Sequence, residues 1–132
     1  MQPSIFTKIV RGEIPSHKVY EDDQVLAFMD IAPIQEGMIV LICKEQIEHF
    51  EDVPEEIASQ MIWVSQKLMK ALKRTYPESV KIALQIEGLD VPHAHIKLVP
   101  ITQAADLKAE PPSVGPNHTE LAKQAERINQ NI

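Results

Sequence analysis

A single cysteine in 132 residues leaves Cys43 with no partner for an intramolecular disulfide. That fits a reducing compartment. Glycine is almost as scarce, with four in the chain. There is no phosphate-cradling P-loop and no GxGxxG dinucleotide turn. A GxSxG nucleophile elbow is also missing, and Cys43 lies within an apolar run unsuited to a reactive thiolate. No apolar stretch reaches the length of a membrane span, and "MQPSIFTKIVRGEIP" lacks the long apolar segment of a signal peptide. The expected location is cytoplasmic. Basic residues are in the minority, 13 Lys and Arg against 19 Asp and Glu, for a formal charge of −6. This argues against coating a nucleic-acid polymer or an anionic membrane, and leaves room for one small basic pocket.

The residues that are present describe a globular domain, with 44% hydrophobic and 24% charged residues. "SIFTKIVRGEI" reads as a short amphipathic helix with Ser4 as N-cap and Gly12 as its stop. "HKVYED" and "VLAFMDIAP" read as two strands joined by a turn. "GMIVLICK" is a continuous apolar run, so a central strand covered on both faces. "PEEIASQMIWVSQKLMKALKRTYP" is a long helix with Pro54 at its start and two glutamates in its first turn. Ile57, Met61, Val64, Leu68 and Leu72 form its apolar face. "SVKIALQIEG" is a further strand, and its turn into the next segment brings Gln85 near His93 and His95. "ITQAADLKAEPPSVGP" reads as loop, and "NHTELAKQAERINQ" as a short helix with Asn117 and Glu120 at capping-box spacing.

The segment "VPHAHIKLVP", Val91 to Pro100, reads as a strand bounded by prolines. Successive side chains in a strand point to opposite faces. His93, His95, Lys97 and Val99 then share one face, and Ala94, Ile96 and Leu98 the other, the core face. Two imidazoles and an ammonium side by side admit three readings. They are a structurally satisfied pair, a metal site, or histidine catalysis on a phosphate. A zinc site wants three or four ligands, and neither Asp90 nor His49 has motif spacing to the pair. Imidazole can act as nucleophile and proton carrier near neutral pH, and a lysine beside it can hold phosphate charge.

The block "SIFTKIVRGEIPSHKVYEDDQVLAFMDIAPIQEGMIVLICKE", the long helix and "VPHAHIKLVP" together resemble the histidine-triad (HIT) family of nucleotide-binding proteins and hydrolases. The resemblance runs from about Ser4 to Pro100. It implies an α+β fold: a five-stranded antiparallel sheet with a short N-terminal helix and one long helix, here with a C-terminal helical tail. Residues 1–101 would form the HIT-like domain, and 102–132 a loop and helix packing on it or on a partner subunit. The implied activity is hydrolysis or transfer at the α-phosphate of purine nucleotide conjugates, such as nucleoside phosphoramidates or dinucleoside polyphosphates. The alternative is a nucleotide-binding or scaffold protein without turnover. His95 takes the role of nucleophile and His93 that of its support. Ile5, Phe6, Ile9, Phe28 and Ile31 line the purine slot, Asp30 holds the ribose hydroxyls, and Gln85 stands for a phosphate-positioning asparagine. A homodimer is implied, and no cofactor is called for. Lys97 replaces the third histidine and is expected at the α-phosphate, in one pocket with His93 and His95. Ser4, Thr7 and Gln46 stand where relatives often carry zinc ligands, so no structural zinc is expected. Asp90 stands near a family Ser or Thr, where its charge would oppose a phosphate unless it turns outward or Lys97 offsets it.

Overall fold

The apolar run Ile39–Cys43 forms the central strand, β3, of an open five-stranded antiparallel sheet. The computed structural model describes residues 1–132. In chain order it contains α1 (Ile5–Val10), β1 (Lys18–Glu21), β2 (Val25–Met29), β3, α2 (Glu55–Thr75), β4 (Lys81–Gln85), β5 (His95–Ile101) and α3 (His118–Gln130). Short 3-10 turns lie at Phe50–Asp52 and Ala104–Lys108. The strand order is β1-β2-β3-β5-β4, and every neighbouring pair is antiparallel. The fold is α+β, with three helices on this sheet.

Alternation divides β2 and β3 between two apolar layers. Val25, Ala27, Met29, Ile39, Leu41 and Cys43 pack with Met61, Val64, Leu68 and Leu72 of α2. Leu26, Phe28, Val40 and Ile42 pack on the other side with Phe6 and Ile9 of α1. Every residue of β2 and β3 is buried, as continuous apolar runs covered on both faces require. The α2 face seals the larger core and α1 the smaller one. α3 adds Leu121, Ala125 and Ile128 to the α2 layer, and Asn129 Nδ2 donates to the Val19 carbonyl at 2.8 Å. The tail is thereby held against β1. The chain enters β3 through Gly37, whose φ of +88° suits glycine, and a Cβ there would lie 2.5 Å from the Tyr76 ring.

Three sequence expectations differ in detail. The strand read from Val91 begins only at His95. Pro92 has no N–H, His93 N bonds back to the Val91 carbonyl at 2.8 Å, and Ala94 N donates to Ile47 O at 2.7 Å, so no ladder forms there. Pro100 lies inside β5 instead of ending it, beyond the last β3 pairing at Leu98, where a missing N–H costs no bond to β3. The stretch after β5 is not all loop. Its 3-10 turn is stabilised by the Asp106 carboxylate, which accepts from Thr102 N at 2.8 Å and Gln103 N at 3.1 Å.

Candidate functional site

The α1 layer stops short of covering the sheet, and the gap is a cleft of about 200 Å³. Ile5, Phe6, Ile9, Phe28, Ile31, Val40 and Val91 give it apolar walls, with Asp30, Asp90 and Lys97 as the charged groups on its lining. Phe6 and Phe28 meet edge to face at 5.6 Å between ring centroids. Ile5 and Ile31 are more than half exposed, at 53% and 56%. Such apolar residues flanking a concave site favour a flat apolar ligand over water. Asp30 follows β2, and its Oδ1 accepts from Ala32 N at 2.8 Å. That bond makes the turn and leaves the other carboxylate oxygen for a ligand.

His93 and His95 are both buried, and hydrogen bonds assign their tautomers. The His93 Nε2 lies 2.7 Å from the Cys43 carbonyl, which can only accept, so Nε2 carries the proton. The His93 Nδ1 therefore accepts, and Ser4 Oγ donates to it at 2.7 Å. Ser4 Oγ also accepts from Thr7 N at 3.0 Å, capping α1, while Thr7 Oγ1 donates to Gln46 Oε1 at 2.6 Å. Burial pushes the His93 pKa below its ordinary value, the Cys43 carbonyl partly opposes this, and His95 adds to the lowering. His95 Nδ1 donates to the carbonyl of His93 at 2.6 Å. Its Nε2 is thus the lone-pair nitrogen. That atom is buried and has no hydrogen-bond partner. Asp90 Oδ1 lies 3.2 Å away, close enough for an electrostatic contact but outside hydrogen-bonding geometry. The Phe6 ring stands edge-on to His95 at 5.0 Å, which fixes the imidazole plane.

Asp90 turns inward. Its Oδ2 accepts from Lys97 Nζ at 2.8 Å, and Glu87 Oε1 lies 3.7 Å from the same ammonium. Burial alone would raise the Asp90 pKa, but the Lys97 hydrogen bond and charge outweigh it and hold the carboxyl below its usual range. Burial would likewise lower Lys97, and Asp90, with Glu87 and Asp30 behind it, raises it instead. Lysine and aspartate are both charged at neutral pH.

The donor atoms of Glu87, Asp90 and His95 lie within 4.8 Å of one another, a spacing a metal ion can use. Lys97 already supplies the cation those carboxylates face. At the position of the family's zinc clip, Ser4, Thr7 and Gln46 offer neutral oxygens, and both His93 nitrogens are engaged in hydrogen bonds. That donor set does not fit zinc, which favours thiolate and imidazole.

The sequence-predicted residues fall in four places. Ile5, Phe6, Ile9, Phe28, Asp30, Ile31 and Lys97 meet in the cleft. His95 lines a second, adjoining cavity with Glu48, Glu51 and Glu87, and His93 lies beneath both, 0% exposed. His93 and His95 do not line the cleft that Lys97 enters; Asp90 is the residue that touches both His95 and Lys97. Gln85 lies opposite Lys97 in the β4–β5 register and outside both cavities. Sequence reasoning did not find Glu87, Glu48 and Glu51 as neighbours of the site. It read Ser4, Thr7 and Gln46 only as missing zinc ligands. The signal was available for Ser4 and Thr7, whose spacing on one helical turn points both hydroxyls the same way.

The HIT domain family matches residues 11–104. An uncharacterized HIT-like protein of Methanocaldococcus jannaschii is 34% identical over 99 residues, covering 73% of this chain and 77% of the relative. The adenosine 5'-monophosphoramidase of Candida albicans is 30% identical over 141 residues, covering 97% of this chain and 90% of that protein. Among solved structures, a HIT-like protein from Bartonella henselae superposes with a TM-score of 0.85 at 29% identity, covering 98% of this chain and 96% of that one.

Proposed function

The chain belongs to the HIT domain family, and from that premise we propose that it hydrolyses purine nucleotide conjugates at the α-phosphate through a nucleotidyl-His95 intermediate. The observation that carries this reading is the state of His95. Its Nδ1 proton is committed to the His93 carbonyl, and its Nε2 is buried without a hydrogen bond. An imidazole whose Nδ1 is committed to a backbone carbonyl, and whose Nε2 makes no hydrogen bond, presents that nitrogen to phosphorus. Relatives named adenosine 5'-monophosphoramidase support the same chemistry.

In the proposed reaction the base lies in the apolar cleft against Phe6, Phe28 and Ile31, and the ribose hydroxyls donate to Asp30. Lys97 takes the α-phosphate oxygens as Asp90 yields the ammonium to them. His95 Nε2 attacks phosphorus, and the bond to the leaving nitrogen or oxygen breaks with its electron pair. A leaving amine gains its proton from solvent. Water then attacks phosphorus and gives up a proton to solvent, the P–N bond breaks with its electron pair returning to His95 Nε2, and the nucleoside monophosphate leaves. His93 orients the nucleophile through its backbone carbonyl. Asp90, whose Oδ1 lies 3.2 Å from Nε2, swings off that nitrogen as it releases Lys97, which opens the line of attack on phosphorus.

A second reading, a nucleotide-binding protein without turnover, is favoured by the same carboxylate, because Asp90 sits where the phosphate must approach. Turnover of adenosine 5'-phosphoramidate separates the two. The first reading expects release of AMP that disappears in His95→Ala. The second expects AMP binding without release of product in either protein.

No helix is long and apolar enough to cross a membrane. Association as a homodimer in the cytoplasm belongs to this proposal. β4 is an edge strand of the open sheet, and Leu84 within it and Val80 and Ile86 just beyond its two ends are exposed, a surface suited to a second copy.

A further inference from the structure

Asp90 bridges the two side chains that a bound phosphate has to reach. Its Oδ2 accepts from Lys97 Nζ at 2.8 Å, and its Oδ1 stands 3.2 Å from His95 Nε2. Lys97 is the single cation on the cleft lining, and its side chain is 18% exposed. His95 is 1% exposed. The Asp90 side chain is 55% exposed, so the carboxylate is the outer and movable member of the three. We infer that Asp90 is an internal stand-in for the α-phosphate, which closes the cleft to small free anions and admits an anion only when it is joined to a base that fills the apolar walls. The inference rests on the nucleotide-site reading above and adds to it a residue that sets specificity.

Binding is then an exchange of anions. A carboxylate, like a phosphate, offers two oxygens on one centre, and those of Asp90 occupy both contacts. Asp90 lies on the connection between β4 and β5, outside the ladder, so it can leave Lys97 without breaking a strand pair. A carboxylate tethered this closely acts at an effective concentration on the order of millimolar or above. Inorganic phosphate brings charge alone. It has to displace the tethered group, and it then shares one ammonium with Asp90, Glu87 and Asp30, all of which act on Lys97. A nucleotide meets the same cost and offsets it with the apolar surface that Phe6, Phe28 and Ile31 remove from water. The base supplies the affinity, and its phosphate replaces Asp90 with little net gain. A half-exposed carboxylate acts through water-like screening, so its removal favours a phosphate by about tenfold.

The test compares AMP with adenosine by titration calorimetry near neutral pH, in the intact parent protein and in Asp90→Ala, Asp90→Asn and Glu87→Gln. Adenosine leaves Asp90 on Lys97, so the AMP-to-adenosine affinity ratio within each protein reads the exchange, and general changes in the cleft cancel. The parent should bind the two compounds within about threefold of each other. Both Asp90 variants should raise the ratio by about tenfold. Inorganic phosphate at about 10 mM should compete with AMP in the Asp90 variants and not in the parent. Glu87 lies 3.7 Å from the same ammonium, and Glu87→Gln should move the ratio by less than about threefold. A ratio unchanged in both Asp90 variants, an equal rise in Glu87→Gln, or phosphate competition already present in the parent would overturn the inference. If neither compound binds any of the proteins, the nucleotide-site reading fails, and NMR of the His95 ring nitrogens with inorganic phosphate still reads the closure. Signals that move in Asp90→Ala and stay in place in the parent support it, and signals that move in both or in neither reject it.

Discussion

The His93 carbonyl accepts the Nδ1 proton of His95 at 2.6 Å, so the backbone of one histidine assigns the tautomer of the other. The His93 side chain is anchored in turn by Cys43 and Ser4. Position and protonation of the candidate nucleophile thus depend on a residue that does not itself line either cavity.

Ser4 is the external hold on that arrangement. Ser4→Ala removes the donor to the buried His93 Nδ1 and the cap of α1 together. An unsatisfied buried acceptor and a lost cap are expected to cost about 2–3 kcal/mol in urea unfolding. Ser4→Thr, which retains a hydroxyl, should recover most of it. A loss below about 0.5 kcal/mol, the level of an ordinary surface change, would show that the Ser4 bond does not hold His93.

The same histidine makes stability depend on pH. Its folded-state pKa lies below the ordinary 6.5, so the native state binds fewer protons than the unfolded chain. Stability is fully present above about pH 6.5 and falls as pH drops through that value towards the folded pKa. His17 acts with the same sign: burial first, then the nearby His118, lower its pKa. Unfolding midpoints measured between pH 7.5 and pH 5 in a His17→Asn, His118→Asn background isolate the His93 share. The slope for one group approaches about 1.4 kcal/mol per pH unit at most. A flat profile in that background would contradict a neutral, proton-excluding His93.

Asp30 serves both the turn and the proposed ribose contact. Asp30→Asn keeps an oxygen for Ala32 N and removes the charge. AMP affinity by titration calorimetry should fall about tenfold, because hydrogen bonds to a charged acceptor exceed those to a neutral one. The melting temperature should change little. Unchanged affinity would remove Asp30 from the ligand site.

The exposed β4 edge leads to an expectation about assembly. Sedimentation at micromolar concentration should give twice the chain mass, and Leu84→Lys with Ile86→Lys on the edge should shift the protein towards monomer. A parent protein that sediments as a monomer would exclude the homodimer.

The fold was largely legible because its elements announce themselves locally. The α2 stripe from Met61 to Leu72 repeats with helical spacing, and Ile39–Cys43 is apolar on both faces. The cleft residues were legible through the resemblance of "IFTKI" and "FMDI" to a family pattern; without it Phe6 and Phe28 read as core. Three features of the site were not legible. Where β5 begins depends on Ala94 N bonding to Ile47, a contact 47 residues away in the chain. The inward turn of Asp90 depends on a loop through Gly88, whose φ is +69°. The acidic cavity draws Glu48 and Glu51 from one connection and Glu87 from another, which periodicity cannot relate.

The most direct measurement is intact-protein mass spectrometry after rapid acid-free quenching of the protein with adenosine 5'-phosphoramidate. The account predicts a transient adduct of one adenylyl group, mapped by peptide fragmentation to His95 and missing in His95→Ala. AMP release at an undiminished rate by His95→Ala, or an adduct on any other residue, would contradict it.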